Sequence, residues 1–328
     1  MNSIAFYKFV GSQKQSRYLI AFFYSLYYTL DMFLDIYGKF NSVKCAVIEL
    51  NNFCLNNCIH CSSSSSPNSK VSIPMEDYYH IINILHSKKF NRIILSGGEP
   101  LLNVNIGNYL DYAKKKDMEI YLYTSGVLCE YDIIGNYLPM ISKTIVSLYS
   151  LDNKIHDSIT RTPGSLEKTL FFIRYLIKHN IVYEINTVLT QLNYKEIIKI
   201  INSDVGADAK KINVLKLVIQ GNAKLNQKEI EPGKDELNKT LMEIAALSKV
   251  KVSHSFNYTN GICDAIDGKI CITADGYILP CEAFKGNRHK YPRYSEINLY
   301  EYLTKLHNSF HHDCTYALCQ NTNKVYTR

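Results

Sequence analysis

The chain lacks a run of apolar residues long enough to cross a bilayer. Its longest candidate, Tyr18 to Tyr37, is charge-free only to Leu30 and is then broken by Asp31 and Asp35, whereas a spanning helix needs roughly 20 apolar residues. No small-residue cleavage site follows, so Lys8, Lys14 and Arg17 ahead of this segment do not make a secretory signal. What remains is a helix closed by Gly38 and packed on the main domain, with a membrane-surface or partner-binding helix as the alternative. A basic block is missing too. Net charge is +7, from 37 Lys and Arg against 30 Asp and Glu, and the short run Lys114-Lys115-Lys116 falls where a helix end favours cations. Nucleic acid is therefore not an expected partner. Nor does the chain read as a secreted disulfide protein, because most of its 10 cysteines fall in one group near the front and one near the end.

What is present is ordinary in composition, 46% apolar and 20% charged. The 328 residues suffice for one large domain and a small appendage. From Cys45 onward, strand-like and helix-like runs alternate, which signals a parallel α/β domain. Strands read at 45–50, 91–96, 118–124, 143–149, 181–189 and 212–219. Helices read at 74–88, 104–116, 130–139, 165–179, 194–203 and 233–248. Pro74 with Glu76 and Asp77 marks one helix start, and Ser165 with Glu167 another. Six β–α units predict a partial (β/α)6 TIM-like barrel, with its chemistry at the carboxyl ends of the strands. The expected division is an N-terminal helical segment at 1–44, the barrel at 45–226 and a cysteine-rich α+β extension at 227–328.

Directly after the first strand comes Cys54-Leu-Asn-Asn-Cys58-Ile-His-Cys61. Three thiols at C-x3-C-x2-C suit three corners of an iron–sulfur cube, which normally takes four thiolates. One iron is then left open to bind a small molecule. The alternative is a zinc site with His60 as fourth ligand, or three buried thiols. At the end of the second strand stands Ser96-Gly97-Gly98-Glu99-Pro100. Its paired glycines permit close backbone approach, and Glu99 offers a carboxylate to an ammonium.

Together these two motifs resemble the signature of the radical S-adenosylmethionine (SAM) enzymes, over roughly residues 44–320. The resemblance implies a 4Fe–4S cluster on Cys54, Cys58 and Cys61, with the amine and carboxylate of SAM on the open iron. It implies that Gly97, Gly98, Glu99 and Pro100 place the methionyl amine. Reductive cleavage of SAM would release a 5′-deoxyadenosyl radical that abstracts hydrogen from substrate, with an electron donor such as flavodoxin or ferredoxin. Thr124-Ser125-Gly126 resembles a turn of the same family, with Ser125 in place of Asn. The stretch Ser147-Leu-Tyr149, His156-Asp157 and Arg161 to Ser165 looks like that of peptide-modifying members, where a strand serine touches SAM and an arginine faces its carboxylate. Asn186 and Gln220 resemble ribose or adenine contacts, although an amide at a strand end is as often a structural hydrogen-bonder.

Beyond about residue 227 the β–α rhythm stops and the remaining cysteines gather. Ala274-Asp275-Gly276 between two apolar runs is a hairpin signal, and a hairpin brings Cys263 and Cys281 toward each other. Cys314 and Cys319 follow a helix expected near 296–310. This resembles the auxiliary-cluster extension of the family, in its short twitch form rather than the longer SPASM form, and implies a second 4Fe–4S cluster. The last pair is C-x4-C where a tighter pair is usual, so Cys271 competes with Cys314 and Cys319 for two ligand places. A structural zinc knot remains the alternative. Cys45 reads as a small buried apolar residue, and Cys129, just past the third strand, as packing or as a hydrogen donor to a substrate radical.

The implied substrate is a ribosomally synthesised peptide; the alternative is a small alcohol, sugar or nucleoside that is dehydrogenated or rearranged. A non-catalytic zinc module would leave Gly97 to Pro100 and six β–α units unexplained. The 44 residues before the barrel are too few for a peptide-leader-binding domain, so a partner protein is expected to supply that function. Iron–sulfur chemistry calls for a reducing cytoplasm.

Overall fold

The computed structural model describes residues 44–127, 135–247, 252–254 and 269–305, which all belong to one compact unit beginning at Lys44. The helix expected at Tyr18 to Tyr37, and Cys129, Cys263, Cys314 and Cys319, lie outside the described residues.

The strands are β1 (Lys44–Asn51), β2 (Phe90–Gly97), β3 (Glu119–Thr124), β4 (Lys143–Ser147), β5 (Tyr183–Leu189), β6 (Lys211–Lys216), β7 (Val252–His254), β8 (Lys269–Ile272) and β9 (Ile278–Leu279). They form one sheet in the order β7-β6-β5-β4-β3-β2-β1-β8-β9, parallel except for the β8–β9 hairpin, and it does not close. The six expected strands are all there. The short strand β7 was not expected, because three residues carry no readable period. The Asp275-Gly276 hairpin forms as read, with Gly276 at φ 93°. Its first strand pairs in parallel with β1, Val47 opposite Cys271, so the hairpin continues the barrel sheet.

Period-two alternation sorts β1 between two apolar clusters. Ala46, Ile48 and Leu50 join the core beneath the helices, while Val47 joins Ile94, Cys271 and Leu279 on the other face. Both faces being covered explains the near-continuous apolar run that marks a parallel strand. The helices are α1 (Met75–Ser87), α2 (Ile106–Lys115), α3 (Asn153–Thr160), α4 (Ser165–Lys178), α5 (Ile197–Ile201), α6 (Asp204–Asp208), α7 (Asn222–Leu225), α8 (Gln227–Ile230) and α9 (Lys234–Ala246). In α1, Tyr78, Ile81, Ile82 and Leu85 fall on one stripe and are all buried.

The start of α4 differs from expectation. Ser165 is its first helical residue, and the capping acceptor is Asp157 from α3, which takes hydrogen bonds from Gly164 N (2.6 Å), Leu166 N (3.0 Å) and the Ser165 hydroxyl (2.8 Å). An acceptor eight positions upstream of Ser165 leaves no local capping pattern. Phe172 of α4 is fully buried beneath the Gly126 turn, where a Cβ on Gly126 would stand 2.8 Å from its ring. Phe172→Ala is expected to cost about 3–5 kcal/mol, read from urea unfolding; a loss below about 1 kcal/mol would mean the turn collapses onto the space.

Candidate cofactor site

The loop after β1 is pinned from several sides by its backbone. Asn52 N donates to Val71 O (2.9 Å) and Cys54 N to Ser66 O (3.2 Å). Asn57 N and Ile59 N donate to the carbonyls of Thr160 (3.0 Å) and Ile159 (2.8 Å), at the end of α3. From the far side, Asn222 gives its N–H to Cys61 O (2.9 Å) and its side-chain amide to Cys58 O (3.0 Å), and the Asn226 amide reaches Ile59 O (3.2 Å). Gly221, at φ 56°, permits this approach, since a Cβ there would lie 2.5 Å from the carbonyl oxygens of Cys61 and Ser62. The loop thus presents Cys54, Cys58 and Cys61 with little freedom.

The three thiols interact electrostatically. Burial pushes Cys54 up to about 12, helped by the charge of Glu99, and burial followed by Cys61 and Cys54 raises Cys58 well above the ordinary thiol range. Ligation must therefore release protons. Ser65 N donates to the Cys61 sulfur (3.4 Å). Tyr149 packs beside this trio, its ring 4.7 Å from His60 and 5.5 Å from His156. Burial, with His156 nearby, drives His60 down to about 4, so it is neutral and adds no charge. Among the described residues, seven buried side-chain polar atoms lack a hydrogen-bond partner, and five of them fall between residues 51 and 65: Asn51 Oδ1, Asn52 Oδ1, Asn56 Oδ1, His60 Nδ1 and Ser65 Oγ. Buried polar atoms normally have a hydrogen-bond partner, so a cluster of them without one within the protein calls for water or another group. No three His, Cys, Asp or Glu side chains among the described residues converge as ligands of one ion.

Residues 48–203 match the family described as the Radical SAM superfamily. They form a radical SAM domain. Over 163 residues the chain is 29% identical to an AdoMet-dependent heme synthase of Methanosarcina barkeri, covering 48% of this chain and 46% of that protein. It is 28% identical over 154 residues to the antilisterial bacteriocin subtilosin biosynthesis protein AlbA of Bacillus subtilis, covering 46% and 34%. The chain thus spans about half or less of these curated relatives. The crystal structure of Streptococcus suis SuiB bound to precursor peptide SuiA shares the fold, with a TM-score of 0.67 at 17% identity over 88% of this chain and 72% of that one.

Within the radical SAM domain, the glycines of the second motif serve an internal approach. A Cβ on Gly97 would fall 2.3 Å from Asn51 O, and one on Gly98 2.1 Å from Phe53 O. Gly98 N donates to Asn51 O (2.7 Å) and Glu99 N to Phe53 O (2.8 Å), which locks the end of β2 onto the start of the cysteine loop. Pro100 opens a short 3₁₀ turn behind it. The Glu99 carboxylate is engaged by neighbours within the fold. It is fully buried, and its two oxygens accept from Thr124 Oγ1 (2.8 Å), Leu101 N (3.3 Å), Ser125 N (2.8 Å) and Ser125 Oγ (2.6 Å). Burial pushes the carboxyl above its usual range, with these bonds opposing. Glu99 and Ser125 therefore satisfy each other and weld β2 to β3.

Three further residues named from the sequence make contacts of their own. Gln220 donates to Glu282 O (2.8 Å) and accepts from Gly286 N (2.9 Å), so both ends of its amide hold the C-terminal segment. Arg161 is exposed and donates to Asn226 Oδ1 (2.8 Å). Cys271 is buried with Val47, Ile94 and Leu279, where burial pushes its thiol well up. Ser147, the last residue of β4, pairs with Asn186 in the middle of β5, and Asn186 Oδ1 accepts from Asn213 (3.0 Å). Cys281 caps the 3₁₀ segment Glu282–Lys290 and is half-buried. The sequence reading assigned no role to Asn222, Asn226 or the pair Glu49–Lys285. Only Gly221 signalled the first of these, as a glycine beside a strand end.

Glu99→Gln would turn a donor amide against Ser125 or Thr124, at an expected cost of about 1–3 kcal/mol in chemical unfolding. His156 is buried, and burial drives it down to about 4, below the ordinary value of 6.5. Its neutral form stabilises the fold above about pH 6.5, and that stability is lost as pH falls toward 4, by up to about 3 kcal/mol. In urea unfolding between pH 7 and 4, His156→Gln should lose stability less steeply than wild type; equal slopes would place the acid sensitivity elsewhere.

Proposed function

We propose that the chain is a radical SAM enzyme whose Cys54, Cys58 and Cys61 hold a 4Fe–4S cluster with SAM, and that it modifies a ribosomally synthesised peptide. The observation that carries the cofactor assignment is the gathering of five orphaned buried polar atoms between residues 51 and 65, around three adjacent thiols. When bound, cluster and SAM together supply one electron to a sulfonium and a radical that takes hydrogen from an unactivated C–H bond. The protein's own work is placement and shielding. Cys54, Cys58 and Cys61 give up their protons to become ligands. The Gly97–Gly98 backbone holds the loop against β2, and Glu99 fixes the Ser125 turn beside it. Tyr149 and His60 keep water from the thiols without adding charge. Ser147, Arg161, Asn186 and Gln220 are retained as residues near SAM whose roles are those of neighbours to the site. Cys263, Cys281, Cys314 and Cys319, with Cys271 as substitute, are assigned to an auxiliary cluster, and Cys129 to hydrogen donation.

The relative AlbA, a bacteriocin biosynthesis protein by name, favours a peptide. So does the Ser147-to-Asp157 stretch. The heme synthase relative favours a small-molecule substrate as the second reading. On the peptide reading, a separate leader-binding protein presents the substrate, and flavodoxin or ferredoxin supplies electrons in a reducing cytoplasm. No helix of the described residues is long and apolar enough to cross a membrane.

Protein purified anaerobically should be brown, with about eight irons per chain for two 4Fe–4S sites and about four for the front one alone. Cys58→Ala should abolish formation of 5′-deoxyadenosine under dithionite, and retained formation refutes the front-site assignment. Cys281→Ala should still cleave SAM yet fail to turn over substrate; full turnover would leave the rear thiols a structural role.

A further inference from the structure

The concave face of the sheet holds a closed ring of three polar side chains from three distant segments. Lys285 Nζ lies 2.5 Å from Glu49 Oε1 and 3.0 Å from Ser63 Oγ, and Ser63 Oγ donates to the same Glu49 oxygen at 2.7 Å. Glu49 lies two residues before the end of β1, Ser63 stands two residues past Cys61, and Lys285 belongs to the C-terminal segment. Glu49 and Lys285 are 2% and 8% exposed, so each charge depends on the other. A second connection runs in parallel. Gln220 holds both Glu282 O and Gly286 N, and Asn222, two residues on, holds the carbonyls of Cys58 and Cys61. Glu282 also pairs with Lys269 on β8 at 3.0 Å, which anchors the segment to the sheet.

We propose that Lys285 is a positioning residue for the cysteine loop: through Ser63 and Glu49 it couples the placement of segment 282–286 to the placement of Cys58 and Cys61. Buried ion pairs often add little net stability compared with apolar replacements, while removal of one partner strands the other charge. What this pair adds here is connection. Segments 222 and 236 residues apart in sequence from Lys285 are held to it by one ammonium, and neither apolar packing nor a surface ion pair fixes register so narrowly. A change at the C-terminal extension is therefore transmitted to the front thiols. The significance for catalysis rests on the function proposed above, but the coupling itself does not.

The test is amide hydrogen exchange on the full chain as purified anaerobically. In Lys285→Met, exchange across residues 58–64 should rise at least ten-fold while β3 and β4 stay within two-fold of wild type. Lys285→Arg, which keeps the charge and a donor, should return the loop to within about three-fold. Unchanged exchange at 58–64, a rise spread equally over β3 and β4, or failure of the arginine to rescue would each overturn the proposal. Should Lys285→Met not fold, Ser63→Ala removes the hydroxyl link alone; it should raise exchange at least three-fold in the same peptides, and no rise overturns the coupling. Because the readout is backbone exchange, it holds whether or not SAM is cleaved. A loop that responds as expected in protein without SAM cleavage would sink the proposed function and leave this inference standing.

Discussion

The constraint on which the site depends is that the cysteine loop has almost no secondary structure of its own, so its backbone must be held by other segments. Its N–H groups go to the end of α3 and to residues 66 and 71, and its carbonyls are taken by Asn222 and Asn226. Buried backbone groups need partners. Here the partners come from across the domain, so the spacing of Cys54, Cys58 and Cys61 is a property of the whole barrel. The glycines at 97, 98 and 221 serve the same end, because each stands where a Cβ would strike this loop.

Having satisfied the backbone, the fold leaves side-chain atoms of the same loop unsatisfied. Asn51, Asn52, Asn56, His60 and Ser65 each carry a buried atom without a protein partner, while Glu99 is saturated by four donors. A neutral His60 and a buried Tyr149 stand beside the thiols without adding charge.

The extension extends this logic to the other side of the sheet. Its hairpin is hydrogen-bonded to β1 itself, and its 3₁₀ segment meets the loop through Lys285 and Gln220. The front and rear of the molecule thus share the strand that leads into the cysteine loop. Relatives named for a heme synthase and for bacteriocin biosynthesis match 48% and 46% of the chain, at 29% and 28% identity.

By itself the sequence determined the six strands, the thiol trio, the glycine pair and the Asp275-Gly276 hairpin, since each is a local pattern of period, spacing or turn chemistry. It placed Glu99 just past β2 but not the groups its carboxylate meets, because a carboxylate looks the same whether it meets an ammonium or a Ser125 N–H. Only the tertiary structure decided that Gln220 grips the extension, that Asp157 caps α4, and that Glu49, Ser63 and Lys285 meet. Those contacts join residues far apart in the chain, and no local period or spacing encodes which distant groups will share a buried oxygen.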